Sequence, residues 1–394
     1  MSFDFAPARK SLLRSRGGHE NGRVTFIELF FDLVFVFAVT QLSHGLIAHL
    51  SWGGAFGVAL LFAAIWWVWI STSWVTNWLD PEQTPVRLLI LVLMLAGLVL
   101  TISVPYAFGE TALSFAGALV TLELGRSSFM LWALGKANAR NTRNFQRIIS
   151  WQALSAVFWI SGALYEEYRL ALWCVAVAVT WTAPAAGFYV PRLGYSLSSD
   201  WDVDGNHLAE RCSLFIIIAL GESILVTGAA FAEKGDAGWL AFASTFIGTA
   251  AMWWIYFDTS AERASNKISH DADPGSLARL GFTYLHMLIV AGIIVVAVGD
   301  EIVLAHGHAE MSMSAAVVIL GGPALYLLGN LFFKWTVTGR PPLSHMAGLV
   351  VLGATGFAAF RFEPMGLAIA ATAVLAATAL WETLSWRRGP QKPA

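Results

Sequence analysis

Long apolar runs, separated by mostly short polar stretches, fill almost the whole chain. Twelve of these runs reach or approach the roughly 20 residues that an α-helix needs to cross the hydrocarbon core of a bilayer. Short connections favour antiparallel packing of consecutive helices, so the pattern predicts an all-α, polytopic transmembrane helix bundle. The predicted spans are 26–48, 54–77, 86–108, 112–135, 146–165, 169–190, 208–231, 238–259, 277–301, 312–335, 343–360 and 366–386.

The composition supports lipid as the solvent. Hydrophobic residues make up 57% of the 394 residues and charged residues 13%, whereas soluble domains carry roughly 25% charged residues. The formal net charge is −2, and no long run of either sign occurs. The lipid bilayer is therefore the expected partner, and no nucleic-acid partner is expected.

The positions of Lys and Arg predict the orientation, because cytoplasmic segments of membrane proteins retain these residues. With the N-terminus inside, the basic residues of the N-terminal segment and most of those in the connections fall on the cytoplasmic side. Only Arg169, Lys234 and Arg361 fall outside. Both termini are therefore predicted to be cytoplasmic.

A tryptophan-rich pattern occurs twice along the chain. Segment 66–73 reads WWVWISTS, and segment 253–260 reads WWIYFDTS. The same offset pairs Trp52 with Trp239 at the start of the preceding helical segment. Two tryptophan pairs in one register indicate an internal duplication.

The helices before these segments align at a slightly different offset, which places Glu28 on Glu210. We therefore predict two six-helix repeats, and because six is even, both would enter the membrane from the same side. An axis along the membrane normal would then relate them; alternatively, the duplication only enlarges a scaffold. The predicted units are a basic cytoplasmic tail (1–24), the first repeat (25–191), a cytoplasmic linker (192–206), the second repeat (207–387) and a C-terminal tail (388–394).

Several ionisable residues fall inside the predicted spans, where a charge costs about 2.5–3.5 kcal/mol or more on insertion scales. Glu28 and Asp32 are four residues apart and share one helix face. Crowded carboxylates attract positive charge, so they predict a path for a proton or a small monovalent cation. The alternative is a structural role, in which Arg211 or Arg23 neutralises them and locks the halves together. The residues assigned to the path are Glu28, Asp32, Glu210, Arg211, Glu222 and Asp258.

Other polar residues are secondary candidates. Glu123 and Arg126, three residues apart, are expected to neutralise each other on one helix face. His44 and His207 lie in or at the ends of spans, without the clustered spacing of a metal site, so no metal or cofactor is predicted. The run 321–323, Gly-Gly-Pro, predicts a broken helix or hinge within its span.

Two motifs resemble a known family. Segment 28–36, ELFFDLVFV, followed by QLSH at 41–44, resembles the opening signature of bacterial low temperature requirement A (LtrA) proteins. Segment 207–211, HLAER, continuing to LGESIL at 220–225, is similar to the second motif of that family. The resemblance implies a multi-pass protein of the bacterial inner membrane that is associated by name with growth in the cold. It implies no particular activity.

A fainter likeness exists to the potassium channels of endosomes, lysosomes and prokaryotes, which use six-span repeats and an early Phe-Ser-Asp motif. Here the corresponding segment, 30–32, reads Phe-Phe-Asp and lacks the serine. The departure weakens the analogy with channels.

The sequence therefore predicts a transporter or ion-conducting protein that uses membrane-embedded carboxylates, and an oligomer is possible. The rival is a non-transporting membrane scaffold or sensor linked to growth in the cold. An enzyme is the least supported class, because the chain contains no GxSxG, HExxH or phosphate-binding loop.

Overall fold

A computed structural model describes residues 11–14, 23–135, 138–197, 200–201, 203–234, 239–258 and 273–388. Over these residues the protein is all-α, and its twelve main helices correspond one to one to the twelve predicted segments. The predicted tails, 1–24 and 388–394, lie largely outside the described residues. The helices are α1 Phe26–Ala48, α2 Trp52–Thr76, α3 Thr84–Ile102, α4 Ala112–Leu134, α5 Ala139–Leu164, α6 Arg169–Thr182, α7 Gly205–Lys234, α8 Trp239–Phe257, α9 (Pro274–Ala278, Arg279–Leu285 and His286–His306 in succession), α10 Met313–Thr338, α11 Leu343–Phe357 and α12 Pro364–Arg388.

Eight of these helices, α1, α2, α3, α7, α8, α9, α10 and α12, are long and apolar enough to cross a membrane. Helices α6 and α11 have only 14 and 15 residues, and charged residues interrupt α4 and α5. Large apolar side chains such as Leu95 and Val350 point outward and are 66% and 71% exposed. Such an apolar exterior requires lipid around it, so the chain is a multi-pass membrane protein in contact with the bilayer.

The start of α1 is fixed by its own side chains. The backbone N–H and the hydroxyl of Thr25 both donate to Oε2 of Glu28 at 2.9 Å, the arrangement of a capping box at the N-terminus of a helix. The carboxylate of Glu28 is therefore held at the end of α1, where it also reaches groups from other segments.

Helices α1 and α2 form the junction between the two halves of the chain. Both contact α7 and α9 of the second half, and they also pack against each other. The aromatic rings of Trp66 and Trp69 on α2 pack against Phe215 of α7, with ring centroids 5.8 and 4.3 Å apart. The junction is thus a continuous buried core and not a loose boundary between two bundles.

Helix α9 contains a π-helical turn, Arg279–Leu285, that the sequence did not predict. Its wider turn leaves backbone carbonyls for other donors: Gly281 O accepts from Nδ1 of His286 at 2.8 Å, and Thr283 O accepts from Nε1 of Trp66 at 2.7 Å. π-Helical turns are rare and occur frequently at functional sites. This one presents an altered backbone to the first half of the chain.

The break predicted at Gly321 to Pro323 is not observed, because α10 continues through Pro323 as one helix. Helices α9 and α10 pack so closely that a Cβ atom on Gly322 would lie 2.7 Å from the backbone nitrogen of Val296. Close approach at small residues is typical of helix pairs in membranes. We attribute the continuity of α10 to this packing, which supports the helix where proline removes a hydrogen bond.

Candidate functional site

Charged side chains are buried together where the first turns of α1 and α7 meet the last turns of α2. We name the group of Arg14, Glu28, Asp32, His207 and Arg211 the inter-half cluster. Glu28, Asp32 and Arg211 are 0% exposed, and His207 is 1% exposed. At a rise of 1.5 Å per residue, Asp32 and Arg211 each lie roughly 9 Å from the first residue of their helix.

Glu28 has partners on both of its carboxylate oxygens. Nη2 of Arg14 lies 2.9 Å from Oε2, and Nε2 of His207 lies 2.8 Å from Oε1. Nε of Arg14 is itself held by the carbonyls of Thr76 and Leu79 at 2.9 and 3.1 Å. Glu28 therefore joins the segment before α1, the end of α2 and the start of α7.

The ring of His207 has a second neighbour on its other nitrogen. Nδ2 of Asn77 lies 3.3 Å from Nδ1 of His207, and the Asn77 side chain also bonds both the N–H and the C=O of Asp204. An amide N–H that points at Nδ1 fits the neutral tautomer with its proton on Nε2, which then donates to Glu28. The histidine thus completes a bridge from α2 to α1.

Asp32 is bound by only one of its oxygens. Oδ1 accepts from Nε1 of Trp69 and from Nη2 of Arg211, both at 2.8 Å. Nη2 of Arg211 also lies 3.3 Å from Oγ of Ser73, and its guanidinium carbon lies 5.8 Å from the centroid of the Trp69 ring. The pair therefore connects α1 with α7 across α2.

The Asp32–Arg211 pair is incomplete. Oδ2 of Asp32 and both Nε and Nη1 of Arg211 are buried without a hydrogen-bond partner among the described residues. Arginine and carboxylate groups frequently pair through two parallel hydrogen bonds, but this pair uses one. Buried polar atoms without partners are uncommon and call for an explanation such as a bound water, ion or ligand. The pair is compensated in charge, yet it retains capacity for a proton on Asp32 or a small polar group beside it.

The other residues assigned to the path lie elsewhere. Glu210 is exposed and accepts from the backbone nitrogen of Val24 at 3.1 Å. Glu222 is buried on α7, but it lies eleven residues beyond Arg211, or roughly 16 Å along the helix. Asp258 is exposed and accepts from the hydroxyl of Thr383 on α12 at 2.8 Å. The described geometry does not join these acids to the inter-half cluster.

His44 is exposed near the far end of α1, and it therefore also lies apart from the cluster. Of the ten primary and secondary candidates, the structure brings four together. They are Glu28, Asp32, His207 and Arg211.

Glu123 and Arg126 lie close enough for their opposite charges to interact, as expected, but no hydrogen bond joins them among the described residues. Both are buried, but Nη1 of Arg126 donates to Oγ1 of Thr72 at 3.0 Å and to the carbonyl of Val68 at 3.2 Å. Oε2 of Glu123 and Nε of Arg126 have no hydrogen-bond partner among the described residues. Arg126 therefore links α4 to α2, because the backbone and hydroxyl acceptors of α2 lie within its reach.

Sequence reasoning missed the role of Arg14, which it counted only as one of the basic residues of the tail. Arg14 N donates to Trp78 O, and Leu12 O accepts from Asp80 N, both at 2.8 Å, so this segment pairs with the residues after α2. Leu12 and Leu13 are an apolar pair within a basic tail. Such a pair is the one sequence signal that this segment docks on the bundle.

Four of the five cluster residues, all except Arg14, lie in the two motifs that resemble LtrA proteins. The family model for "Bacterial low temperature requirement A protein (LtrA)" matches residues 23–380. The chain belongs to the LtrA family. This LtrA chain is also 42% identical over 369 residues to an uncharacterized protein of Rhizobium meliloti (strain 1021), a match that covers 91% of this chain and 89% of the other. No solved structure matches the chain. Within the LtrA match lie all residues of the inter-half cluster except Arg14.

Proposed function

We propose that this LtrA protein is a transport protein that moves a proton or a small monovalent cation across the bacterial plasma membrane. The observation that carries the proposal is the incomplete Asp32–Arg211 pair, which is fully buried between the two halves of a membrane protein. Ionisable residues inside a membrane are costly and mark ion pathways or proton relays by default. The unpartnered oxygen of Asp32 is the atom at which a proton or cation would exchange.

The arginines restrict the mechanism. Each buried acid of the cluster has an arginine beside it, so the cluster is not an open row of free carboxylates. A cation that arrives at Asp32 competes with Arg211 for the same charge. Protonation of Asp32 removes the attraction that holds Arg211, and Arg211 is then free to turn to another acceptor.

The members of this pair belong to different halves, so exchange at Asp32 alters the contact between α1 and α7. A contact with two arrangements is what a transporter needs in order to expose one site to each side of the membrane in turn. The ion and the movement of the halves would thus be coupled at one place.

We also propose that the halves are two six-helix repeats, at 25–191 and 207–387, related by an axis along the membrane normal. Corresponding pairs of helices are in contact in both halves, which supports this proposal. The matched contacts are α1–α3 with α7–α9, α3–α4 with α9–α10, α4–α5 with α10–α11, α5–α6 with α11–α12, α1–α2 with α7–α8, and α2–α6 with α8–α12.

A second function, a non-transporting scaffold or sensor, is favoured by one observation. Glu28 and Asp32 are each paired with a basic partner, and two of these partners, His207 and Arg211, come from the second half. Ion pairs across an interface can serve only to hold it. In that case, neutralising Asp32 impairs folding or assembly and leaves no flux to lose.

The experiment is flux in proteoliposomes with a trapped pH dye and imposed proton, sodium or potassium gradients. The proposal expects ion movement in the wild type, its loss in Asp32→Asn, and normal movement in Glu310→Gln, which neutralises an exposed acid in a connection. Elution volume and helix content establish that each variant is folded. If Asp32→Asn does not fold, the double variant Asp32→Asn/Arg211→Gln is used instead. It leaves neither member of the pair buried as a charge without its partner.

Two results would refute the proposal. One is a well-folded wild type that moves none of the three ions. The other is a folded neutralised variant that moves the ion as fast as the wild type.

A further inference from the structure

A cavity of about 120 Å³ lies within the first half, apart from the inter-half cluster. Helices α2, α4, α5 and α6 form its walls, and the first turns of α9 close it from the second half. Aromatic side chains make up much of its lining: Trp67 and Trp74 of α2, Trp78 just after α2, and Phe145 and Trp151 of α5. No residue of the inter-half cluster lines it.

The charge of the lining has one sign. Arg126 and Arg279 are among the described lining residues, and no Asp or Glu is. Arg126 is 1% exposed, and its Nε has no hydrogen-bond partner among the described residues. Gln152, which is 7% exposed, also lines the cavity, and its Oε1 has no partner in the described part of the chain. Nε of Arg126 is a buried donor, and such an atom points to an acceptor that belongs beside it. Oε1 of Gln152 is itself an acceptor and needs a donor, so it does not bind an anion directly.

We propose that this cavity binds a small organic anion with one aromatic ring, an aromatic monocarboxylate. The aromatic walls accept the ring by offset or edge contacts, and Nε of Arg126 donates to the carboxylate. At about 120 Å³ the cavity is slightly smaller than the roughly 150 Å³ apolar cavity that holds one benzene molecule, but it is partly open, so it accommodates at most one ring with the carboxylate at its edge.

The site touches both halves of the chain through the π-helical turn. Nη1 of Arg279 donates to the carbonyl of Pro184 at 2.9 Å, and Oγ1 of Thr283 accepts from Nε1 of Trp74 at 3.0 Å. A bound carboxylate lies against these contacts between α2, the end of α6 and α9. Binding does not depend on ion movement through the cluster, so this inference stands apart from the proposed transport activity.

Glu123 is the nearby acid that opposes an anion. It lies one turn before Arg126 on α4 and lines a smaller adjoining cavity that shares Trp67 and Thr180 with the first. It does not line the larger cavity. Its charge therefore limits the site to a single negative group next to Arg126.

The experiment is a titration of the purified full-length protein in nanodiscs with benzoate, followed by tryptophan fluorescence and calorimetry. Benzyl alcohol, a neutral molecule of nearly the same shape, is the comparison ligand. Benzoate is expected to bind saturably and at least about tenfold more tightly than benzyl alcohol, because a charge-assisted hydrogen bond is lost with the alcohol.

Variants locate the site. Ser71→Leu places a larger side chain at the cavity wall and is expected to weaken benzoate binding by about tenfold or more. Ser150→Leu, the same change at an exposed position outside the lining, is expected to leave the affinity unchanged. Arg126→Lys keeps the charge but removes Nε, and a folded Arg126→Lys protein is expected to bind several-fold more weakly.

Three results would overturn the proposal: no saturable benzoate binding by the wild type, equal affinity for benzyl alcohol, or unchanged affinity in Ser71→Leu. The comparison of the two ligands on the wild type decides the matter even if Arg126→Lys does not fold. Equal affinity for the two ligands would indicate an apolar site filled by any ring or lipid chain.

Discussion

The two copies of the tryptophan pattern occupy different environments in the two halves. Trp66 and Trp67 are 2% and 7% exposed, and Trp66 donates to the π-helical turn of α9. Trp253 and Trp254 are 46% and 47% exposed. The first copy is therefore a contact between the halves, whereas the second lies on the outer surface, which is lipid in a membrane protein. Similar sequence in two halves does not imply a similar role.

The buried charges differ between the halves in the same way. The acids of α1 pair with basic residues from outside their own helix bundle, and two of those residues lie on α7. The second half has a partly buried pair of its own, in which Nζ of Lys334 on α10 lies 2.6 Å from Oε2 of Glu382 on α12. Among the ion pairs of the described residues, only the first kind joins the halves. The difference indicates that the described ion pairs between the halves are gathered in one cluster and not in two equivalent sites.

The largest effect is expected from Arg211→Gln. The change leaves Asp32 buried without its cation, and breaking a buried pair from one side costs about 3–5 kcal/mol. The double variant Asp32→Asn/Arg211→Gln is expected to recover most of that loss, because no single charge remains. Equilibrium unfolding in mixed SDS and detergent micelles measures both. A double variant no more stable than Arg211→Gln would contradict the pairing.

The next largest loss of stability is expected from Glu28→Gln, compared with the same change at Glu210, which aligns with Glu28 in the sequence repeat. Glu28→Gln removes the charge that Arg14 and His207 face, and hydrogen bonds to charged groups contribute about 1.5–3 kcal/mol. Glu210→Gln is expected to leave the free energy of unfolding unchanged, because this side chain is exposed and Gln still accepts from Val24. Equal losses in the two variants would show that the two positions are equivalent after all.

The smallest difference is expected between Trp66→Phe and Trp253→Phe. Trp66→Phe deletes the donor to Thr283 O and leaves that carbonyl buried, at a cost of about 1–3 kcal/mol. Trp253→Phe retains an aromatic ring at the lipid-facing surface, where it still stacks on Phe257, and is expected to change little. The same unfolding measurement compares them, and a greater loss in Trp253→Phe would reverse the assignment of the two environments.

The positions of the twelve helices were predictable from the apolar runs, but only eight of the described helices are long and apolar enough to cross a membrane. Helix α6, for example, ends at Thr182 and not near residue 190. The π-helical turn Arg279–Leu285 was not predictable, since no proline or glycine pair marks it. At Pro323 the opposite error occurred. A local rule predicted a break, but close packing against α9 keeps the helix intact.

The cluster was predictable in part. Glu28, Asp32 and Arg211 stood out because they are charged residues inside predicted spans. A charge buried in a membrane protein is costly unless a partner compensates it. The pairing of Glu28 with Arg14 was not predictable, because a tail is attached to the bundle by tertiary contacts that charge counting does not report. Asp258 matched the same rule as Asp32, yet it lies at an exposed helix end where Thr383 satisfies it. A charged residue in a predicted span is therefore a candidate site only if its side chain is buried and its partners come from other helices.

Proton or cation flux in proteoliposomes, measured on two variants that remove charge from different places, tests directly whether the charge that takes part in transport lies at the junction of the halves. One variant is Asp32→Asn, and the other is Lys334→Met/Glu382→Gln, which removes the partly buried pair of the second half. We expect a folded Asp32→Asn protein to lose flux and the second variant to retain it. Flux that survives in Asp32→Asn, or that disappears only when the Lys334–Glu382 pair is removed, would contradict the assignment of the ion to the inter-half cluster.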